Sequence, residues 1–205
     1  MSLEIRPLRR RDHRRAMRFA FTGMHFQWYT DNRLLLFLYS RYFWYLELGR
    51  ATRVFAAYEG GALAGVLLAR FEGERVAQPS LWRAAFVKCF DRLEHLLFPG
   101  GGSVYEDANR ALYAQYRRHC APDGELLFLA ADPEMPRRGV GTLLLRALEA
   151  AAPGKTVYLY TDDGCNYAFY EHRGFDLAGE RRIALEITGK HVDLRCMLYS
   201  KRLGA

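Results

Sequence analysis

The sequence predicts a mixed α/β fold in which helices cover both faces of a central sheet. Apolar runs of strand length alternate along the chain with segments whose apolar residues recur at helical spacing. Short polar or glycine-containing connections between neighbouring runs favour hairpins. The chain has 205 residues, half of them apolar, which is enough for a single domain over residues 1–205 with a buried core. This order of strands and helices is typical of a layered α/β sheet.

The N-terminal part of the chain predicts one short strand and two helices. The strand spans Leu3 to Leu8, and Asp12 is a good N-cap for a helix over about 13–22. Asp31 is a similar cap for a second helix that runs to about residue 47. This second helix carries aromatic residues on more than one face. It is therefore either buried on two sides or lines a pocket with one face.

A hairpin and a helical insertion follow. Apolar runs over 52–58 and 62–71 are joined at Gly60-Gly61, and paired glycines accept the positive φ angles that a tight turn requires. Residues 75–120 instead carry apolar side chains at helical intervals. We interpret this stretch as a helical insertion between two strands of the domain.

The C-terminal part alternates strands with helices and ends in a second hairpin. The predicted elements are a strand at 125–131, a helix at 139–152, a strand at 155–161, a short helix at 164–173 and hairpin strands at 183–187 and 194–199. Asp162 or Asp163 is expected to cap the short helix, because an aspartate that precedes a helix can accept its free amides.

The chain is basic, with a net charge of +7. Much of this charge lies near the N-terminus, at Arg6, Arg9, Arg10, Arg11, Arg14, Arg15 and Arg18. Such a cluster suits an anionic ligand, a nucleic acid or a membrane surface, but it equally suits a solvated helix face on which arginine stems cover apolar surface. Aromatic and basic residues do not alternate there, as they do in a platform for single-stranded nucleic acid.

The cysteines and the apolar runs indicate a cytoplasmic protein. Cys89, Cys120, Cys165 and Cys196 lie far apart in the sequence, without metal-ligand spacing, so we expect reduced thiols and no metal. The sequence has no run of about 18 uncharged apolar residues, which a membrane span would need. It also has no apolar core after Met1, which a secretion signal would need. We therefore expect neither a membrane nor a nucleic-acid partner.

The segment from Glu125 to Thr142 carries most of the chemical information. An apolar strand leads through a turn into a basic loop, and the loop opens directly into a helix. The first amides of a helix lack internal partners and lie at the positive end of its dipole. Gly139 and Gly141 have no Cβ to hinder a phosphate, and Arg137 and Arg138 add positive charge. This pattern predicts a phosphate site, although a short Gly-x-Gly also occurs in tight turns.

Two motifs resemble those of the GNAT N-acetyltransferase superfamily. The segment from Pro133 to Gly141 is similar to its acetyl-CoA pyrophosphate loop, Gln/Arg-x-x-Gly-x-Gly/Ala, with Pro136 in place of the Gln or Arg. Residues 166–175, Asn-Tyr-Ala-Phe-Tyr-Glu-His-Arg-Gly-Phe, resemble its second CoA-binding motif in the asparagine, the tyrosine four residues later and the closing Gly-Phe. Proline has no amide proton, so one possible phosphate contact is missing.

The resemblance implies a fold and a set of roles. The sheet would be mostly antiparallel, with one pair of strands splayed apart to admit acetyl-CoA. The pantetheine arm would pair with the strand end, the pyrophosphate would lie on the loop and helix amides, and an asparagine would contact the pantetheine or the acceptor side. The residues in these roles are Leu129, Ala130, Ala131, Arg137, Arg138, Gly139, Val140, Gly141, Thr142 and Asn166.

Tyr170 and Glu125 are the candidate catalytic residues. The resemblance implies that Tyr170 protonates the departing CoA thiolate, and a phenol four residues after Asn166 shares a helix face with it. Glu125 begins a run similar to the strand of histone-type members that carries their base glutamate, where partial burial would raise its proton affinity. The simpler alternatives are a core aromatic for Tyr170 and a solvent-facing strand end for Glu125.

These features predict an acetyl-CoA-dependent N-acetyltransferase that acts directly on a primary amine of a small molecule or peptide. Asp31, Glu47 and Glu125 would attract a cationic acceptor, such as a polyamine, an aminoglycoside or a peptide N-terminus. The departure at Pro136 favours the alternative of a catalytically weak CoA-binding sensor module. A basic nucleic-acid binder is a third hypothesis. The sequence leaves open whether the protein is a monomer or a homodimer.

Overall fold

A computed structural model describes residues 2–23, 32–97, 104–135, 139–187 and 190–204. Its strands are β1 (Leu3–Arg6), β2 (Arg53–Glu59), β3 (Ala62–Phe71), β4 (Gly124–Ala131), β5 (Thr156–Asp162), β6 (Asp176–Ile187) and β7 (Lys190–Arg202). Its helices are α1 (His13–Gly23), α2 (Arg33–Arg50), α3 (Leu81–Leu97), α4 (Val104–Tyr116), α5 (Val140–Ala151) and α6 (Ala168–Glu171). Across these ranges no helix is both long and apolar enough to cross a bilayer.

One open sheet contains all seven strands, in the order β1-β2-β3-β4-β5-β7-β6. Neighbouring strands are antiparallel except β4 and β5, which are parallel. These two strands pair only where Gly124 meets Val157 and Glu125 meets Tyr158. Beyond Glu125 their described residues share no further pairs, so the strands diverge. The predicted mixed, mostly antiparallel sheet with a splayed pair is confirmed.

A β-bulge in β4 changes which side chains face each side of the sheet. Leu68 of β3 pairs with Phe128 and Ala69 pairs with Leu126, so Leu127 is an extra residue in β4. Leu126 packs in the core beneath α5, whereas Leu127 and Phe128 both pack against the core beneath α1 and α2. The bulge therefore switches the sides of the sheet to which successive β4 side chains point, at the position where β4 separates from β5.

Helices cover both faces of the sheet, as the sequence predicts. On one face, Val140, Leu144 and Leu148 of α5 repeat every four residues and are fully or almost fully buried. The other face carries α1 and α2 over the centre of the sheet and α4 over β6, β7 and Tyr158 of β5. There Leu112 and Tyr116 of α4 use the same spacing to pack against β-strand side chains.

The predicted insertion at 75–120 contains α3 and α4, and the two helices occupy different places. Helix α4 extends the helical layer over β6 and β7 and reaches Tyr158 of β5, whereas α3 packs on the outer side of α2. The rings of Tyr42 and Phe90 stack at 4.4 Å between α2 and α3, while Trp44 of α2 is buried against Phe128 of the sheet. Helix α2 is therefore buried on two sides, which decides between the two readings of its aromatic residues.

Some element boundaries differ from the sequence prediction. The N-cap of α2 is Asn32, whose side chain accepts hydrogen bonds from the amides of Leu34 and Leu35, while Asp31 lies outside the described residues. Strand β6 begins at Asp176 instead of 183, because its first half pairs with β7 although it carries charged, exposed side chains. An edge strand of this kind lacks the apolar alternation that reveals a half-buried one.

Candidate active site

A cleft of about 440 Å³ lies between the diverging ends of β4 and β5. Residues from Leu126 to Ala131 line one wall, and Leu159 to Asp162 line the opposite wall. The cleft passes through the sheet, since it is also lined by Tyr170 of α6 on one face and by Tyr105 of α4 on the other. A ligand in it can therefore contact both helical layers.

The β4 wall offers unpaired backbone to an extended ligand. Over the part of the chain that the structure describes, residues 126 and 128–131 pair with β3 on one side, and residues 126–131 pair with no strand on the β5 side. Backbone amides and carbonyls in such a position require partners, and an extended ligand can supply them as a further strand would. The predicted residues Leu129, Ala130 and Ala131 all lie on this wall.

The N-terminus of α5 opens into the same cleft. Gly139 is its N-cap, with φ of 100°, a backbone conformation that favours glycine, and no side chain caps the helix there. The first helical bond within the described chain runs from the Leu143 amide to the Gly139 carbonyl at 2.9 Å, and the amides of residues 140–142 have no helical partner among the described residues. Gly139, Val140 and Gly141 line the cleft at this positive end of the helix.

Gly141 has a packing role as well, in line with close helix packing as the alternative explanation of a short Gly-x-Gly. A Cβ added at this position would lie 3.0 Å from Cζ of Phe169, whereas nothing lies within 4 Å of a Cβ at Gly139. The absence of a side chain at Gly141 thus makes room for the Phe169 ring of α6, and Gly139 provides the open approach. Pro136, Arg137 and Arg138, which the sequence assigns to the same loop, lie outside the described residues.

Arg173 is a cation at the α5 N-terminus that sequence reasoning missed. Its Nε and Nη2 atoms donate to Oγ1 of Thr142 at 3.1 and 2.6 Å, and its guanidinium lies 5.3 Å from the centre of the Phe169 ring. A positive charge at the positive end of a helix is unfavourable by itself. A bound anion would stabilise both the Arg173 guanidinium and the helix N-terminus. The position of Arg173 directly before the closing Gly-Phe of the second motif is the sequence feature that could have identified it.

Tyr170 and Asn166 both line the cleft, but Asn166 lies before α6 and does not share a helix face with Tyr170, which their spacing had predicted. The Tyr170 ring packs edge-on against Phe169 and Phe175, with centroids 5.4 and 5.6 Å away. Burial raises the pKa of the Tyr170 phenol, so the hydroxyl keeps its proton at neutral pH and can donate it. Helix α6 is shorter than the predicted 164–173, and Asn166 precedes it in a turn.

Glu125 lies just below the closed end of the cleft. Its Oε2 accepts a hydrogen bond from Nη2 of Arg50 at 2.7 Å and from the Tyr158 hydroxyl at 3.3 Å. The lining begins one residue later, at Leu126, so the carboxylate does not form part of the described cleft wall. Direct contact with a ligand in the cleft would therefore need a bridging group, such as water.

The same arginine binds a second buried carboxylate, that of Glu47. Nη1 of Arg50 lies 3.3 Å from each Glu47 oxygen, and burial, opposed by the Arg50 charge, raises the Glu47 pKa to about 7. Glu47 and Glu125 thus share one cation. They were expected to attract a cationic acceptor, but neither carboxylate lines the described cleft, and Asp31 lies outside the described residues.

The interpretation of Asp162 and Asp163 as caps of the short helix was wrong. The N-cap position of α6 is Tyr167, without a side-chain cap. Asp163 instead accepts a bond from the Arg195 amide at 2.9 Å. Asp162 lines the cleft, where its carboxylate accepts from the Gly164 amide at 3.0 Å and from the Tyr105 hydroxyl at 3.2 Å.

Comparisons with known proteins agree with this geometry. The model of the acetyltransferase (GNAT) family matches residues 15–175. The fold is similar to that of the PaiA N-acetyltransferase from Thermoplasma acidophilum in complex with coenzyme A, at 16% identity and a TM-score of 0.53, covering 98% of this chain and 99% of that one. No curated protein matches the chain at a significant level.

Two further solved structures show the same likeness of fold. An acetyltransferase from Corynebacterium glutamicum, described as histone acetyltransferase HPA2 and related acetyltransferase, is 16% identical with a TM-score of 0.56, covering 97% of this chain and 96% of that one. The ribosomal-protein-S18-alanine N-acetyltransferase of Escherichia coli is 16% identical with a TM-score of 0.50, covering 100% and 96%. At this identity the likeness extends to the fold alone.

Proposed function

Because the chain belongs to the GNAT acetyltransferase family, we propose that it transfers the acetyl group of acetyl-CoA directly to a primary amine of a small molecule or peptide. One observation supports this most strongly: the cleft joins a strand edge and a helix N-terminus whose backbone groups have no partner within the described chain. An elongated ligand with an amide-bearing arm and a phosphate end has the chemistry that fits these two walls.

The residues present fit acetyl-CoA, which when bound supplies a thioester as the source of the acetyl group. Backbone groups of Leu129, Ala130 and Ala131 would pair with the pantetheine amides, and Asn166 would contact the arm from the opposite wall. The amides of residues 140–142 would hold the pyrophosphate, with Arg173 beside them. We assign the same phosphate role to Arg137 and Arg138 on the preceding loop.

Tyr170 is proposed as the general acid. Its hydroxyl is kept protonated by the raised pKa, and its side chain lines the cleft between the two helical layers. Donation of this proton to the departing sulfur would avoid release of an unprotected thiolate into an apolar cleft. The backbone amides of β4 would stabilise negative charge on the acyl oxygen, which is usually a large contribution in acyl transfer.

Glu125 remains the proposed general base, acting through water. The carboxylate lies one residue below the start of the cleft lining and is fixed in place by Arg50 and Tyr158. A water between Glu125 and the acceptor would carry the proton from the attacking amine.

A catalytically weak CoA-binding sensor is the second candidate function. Pro136 favours it, because proline replaces the Gln or Arg of the pyrophosphate loop and brings no amide proton. Acetyl-CoA would then bind with ordinary affinity, while CoA release in the presence of amines would stay slow. The two candidates share the same binding step and differ in turnover.

Calorimetric titration of acetyl-CoA separates these outcomes. The proteins to compare are wild type, Gly141→Trp, which would push against Phe169 at the helix N-terminus, and Gly49→Trp, which introduces the same side chain into open space on α2. We expect binding by wild type and Gly49→Trp and at least tenfold weaker binding by Gly141→Trp. No binding to wild type would contradict both functions.

Thiol release then tests catalysis itself. Wild type is incubated with acetyl-CoA and a panel of primary amines that includes diamines, an aminoglycoside and a peptide with a free N-terminus. Amine-dependent release of CoA supports the transferase. Binding of acetyl-CoA without any amine-dependent release across the panel supports the sensor.

A further inference from the structure

We propose that Asp162, Tyr105 and Tyr160 form the acceptor end of the cleft, and that this end selects a small diamine or amine-bearing guanidine over a simple monoamine. This inference rests on the proposed acetyltransferase function. It names the acceptor class through the one wall of the cleft that the insertion builds. Tyr105 belongs to α4, and Asp162 and Tyr160 belong to the last part of β5.

The two ends of the cleft have opposite electrostatic character. Where the lining is described, it contains the carboxylate of Asp162 and no lysine or arginine. The phosphate end is formed by the α5 N-terminus with Arg173 above it. Asp162 instead bonds to Tyr105 of α4, on the opposite face of the sheet from α5. An anionic and a cationic ligand would thus enter from different faces and meet within the sheet.

The surroundings of Asp162 suit a cation with an apolar body. Four aromatic rings line the cleft on this face. They come from the helices α1 and α4 and from the strands β4 and β5, namely Phe19, Tyr105, Phe128 and Tyr160. A ring face attracts a positive charge, and the same rings pack against methylene groups.

The Asp162 carboxylate retains capacity for a ligand. A carboxylate has about four acceptor positions. The Gly164 amide and the Tyr105 hydroxyl take one each, and the Cys165 thiol, whose pKa burial and the nearby Asp162 raise to about 12, is a third neighbour. At least one position is thus left for an ammonium or guanidinium group. The existing bonds fix the carboxylate, so little entropy is lost on binding.

The charge of Asp162 implies two nitrogen groups in the acceptor. A carboxylate favours the protonated form of any ammonium that it binds, and a protonated amine cannot attack a thioester. The cation held at Asp162 is therefore the group that does not react. A second, neutral amine on the same molecule would reach the thioester, and the apolar chain between the two groups would lie against the rings.

Asp162→Asn tests this inference, because asparagine keeps the oxygen that accepts the Gly164 amide and removes the charge. Asp163→Asn is the matched control, since the neighbouring Asp163 accepts from Arg195 outside the described cleft lining. The acceptors are 1,4-diaminobutane and spermidine, each compared with butylamine, and the readout is release of CoA thiol. Acetyl-CoA affinity is measured in parallel by calorimetry.

We expect wild type to prefer each diamine over butylamine by at least tenfold in kcat/KM. Asp162→Asn should remove most of this preference through a higher KM for the diamine, while acetyl-CoA affinity stays within twofold and Asp163→Asn resembles wild type. A diamine preference that survives in Asp162→Asn, or a wild-type preference for butylamine, would overturn the inference. Normal acetyl-CoA binding by the variant shows that its fold is intact.

Direct binding keeps the test independent of turnover. Spermidine is titrated into the complexes of wild type and Asp162→Asn with CoA, whose acyl group is absent so that no reaction occurs. Binding by wild type that the variant loses supports the acceptor site even if the panel gives no turnover, in which case only the proposed catalysis fails. Absence of spermidine binding to wild type overturns the site, while amine-dependent turnover with other acceptors would still support the transferase.

Discussion

Nη2 of Arg50 lies 2.7 Å from Oε2 of Glu125, and the same guanidinium contacts Glu47 through Nη1. Arg50 is the last residue of α2. It therefore connects this helix to the place where β4 and β5 remain paired in the described chain. The Glu125 side chain is only 12% exposed and forms an ion pair with Arg50. Because Arg50 pairs with both buried carboxylates, separate substitutions of Glu125 and Glu47 can distinguish a catalytic role from a structural one.

Glu125→Gln tests the role of the general base. We expect kcat to fall about tenfold or more, because the variant cannot accept the amine proton. Acetyl-CoA affinity should change by less than about twofold, since Glu125 lies outside the described cleft lining. Steady-state kinetics from pH 6 to 9 measure both quantities.

Glu47→Gln is the control for that experiment, because it removes the other carboxylate that Arg50 contacts. It should keep kcat within about twofold of wild type. If Glu125→Gln retained the wild-type rate, the carboxylate would only support the β4–β5 junction. Equal losses in both variants would likewise indicate a structural effect of the shared arginine.

Glu47 also predicts a pH dependence of stability. Burial raises its pKa from 4.5 to about 7, so the folded protein binds this proton more tightly than the unfolded chain does. The resulting contribution to stability is present below pH 4.5, is lost as pH rises towards 7, and amounts to about 3 kcal/mol. Glu47→Gln should therefore flatten the decline in the free energy of unfolding between pH 5 and 8.

Urea unfolding at several pH values from 5 to 8 measures this effect. Glu74→Gln is the matched control, because hydrogen bonding to Arg53 lowers the Glu74 pKa and its titration falls below this range. That variant should keep the wild-type dependence on pH. A Glu47→Gln protein with the same slope as wild type would show that Glu47 titrates normally in the folded state.

Tyr170→Phe tests proton donation to the leaving group. The ring contacts with Phe169 and Phe175 are retained, and only the hydroxyl is removed. We predict a fall in kcat of about a hundredfold, within the usual range for a positioned acid, with the KM for acetyl-CoA within about twofold. Tyr167→Phe, one turn away and outside the described cleft lining, should stay near wild type. An unchanged kcat in Tyr170→Phe would remove the proposed acid.

The sequence predicted those parts of the fold and site that depend on local pattern. The order of strands and helices followed from apolar periodicity, and the α5 N-terminus followed from a glycine loop between a strand and a helix. Asn166 and Tyr170 were expected on one helix face from their four-residue spacing; both line the cleft, although Asn166 lies in the turn before α6. In each case the determining residues lie within one element or one turn.

The missed features depend on contacts between distant segments. The bulge at Leu127 arises from the register of β4 on β3, about 60 residues earlier, and apolar residues on both sides of the bulge conceal it. Asp162 looked like a helix cap because an aspartate before a helix usually is one, yet α4 supplies a Tyr105 hydroxyl to it from an insertion. Such pairings are set by packing and leave no periodic signal.

Arg173→Met tests the phosphate end of the cleft. Methionine keeps an unbranched apolar stem against the Phe169 ring but removes the guanidinium that donates to Thr142. We predict that CoA binds at least fivefold more weakly, because a charge-assisted contact to phosphate is lost, and that binding depends less steeply on salt. Calorimetric titration with CoA at two salt concentrations measures both effects.

Pantetheine, which lacks the phosphates of CoA, separates charge from packing in this prediction. Its affinity should be the same for Arg173→Met and wild type, because the strand edge of β4 is unchanged. Arg110→Met, which removes an exposed arginine paired only loosely with Asp107 on α4, is the matched control and should bind CoA normally. Equal weakening for CoA and pantetheine would mean that Arg173 acts by holding α6 against α5 and contributes no phosphate contact.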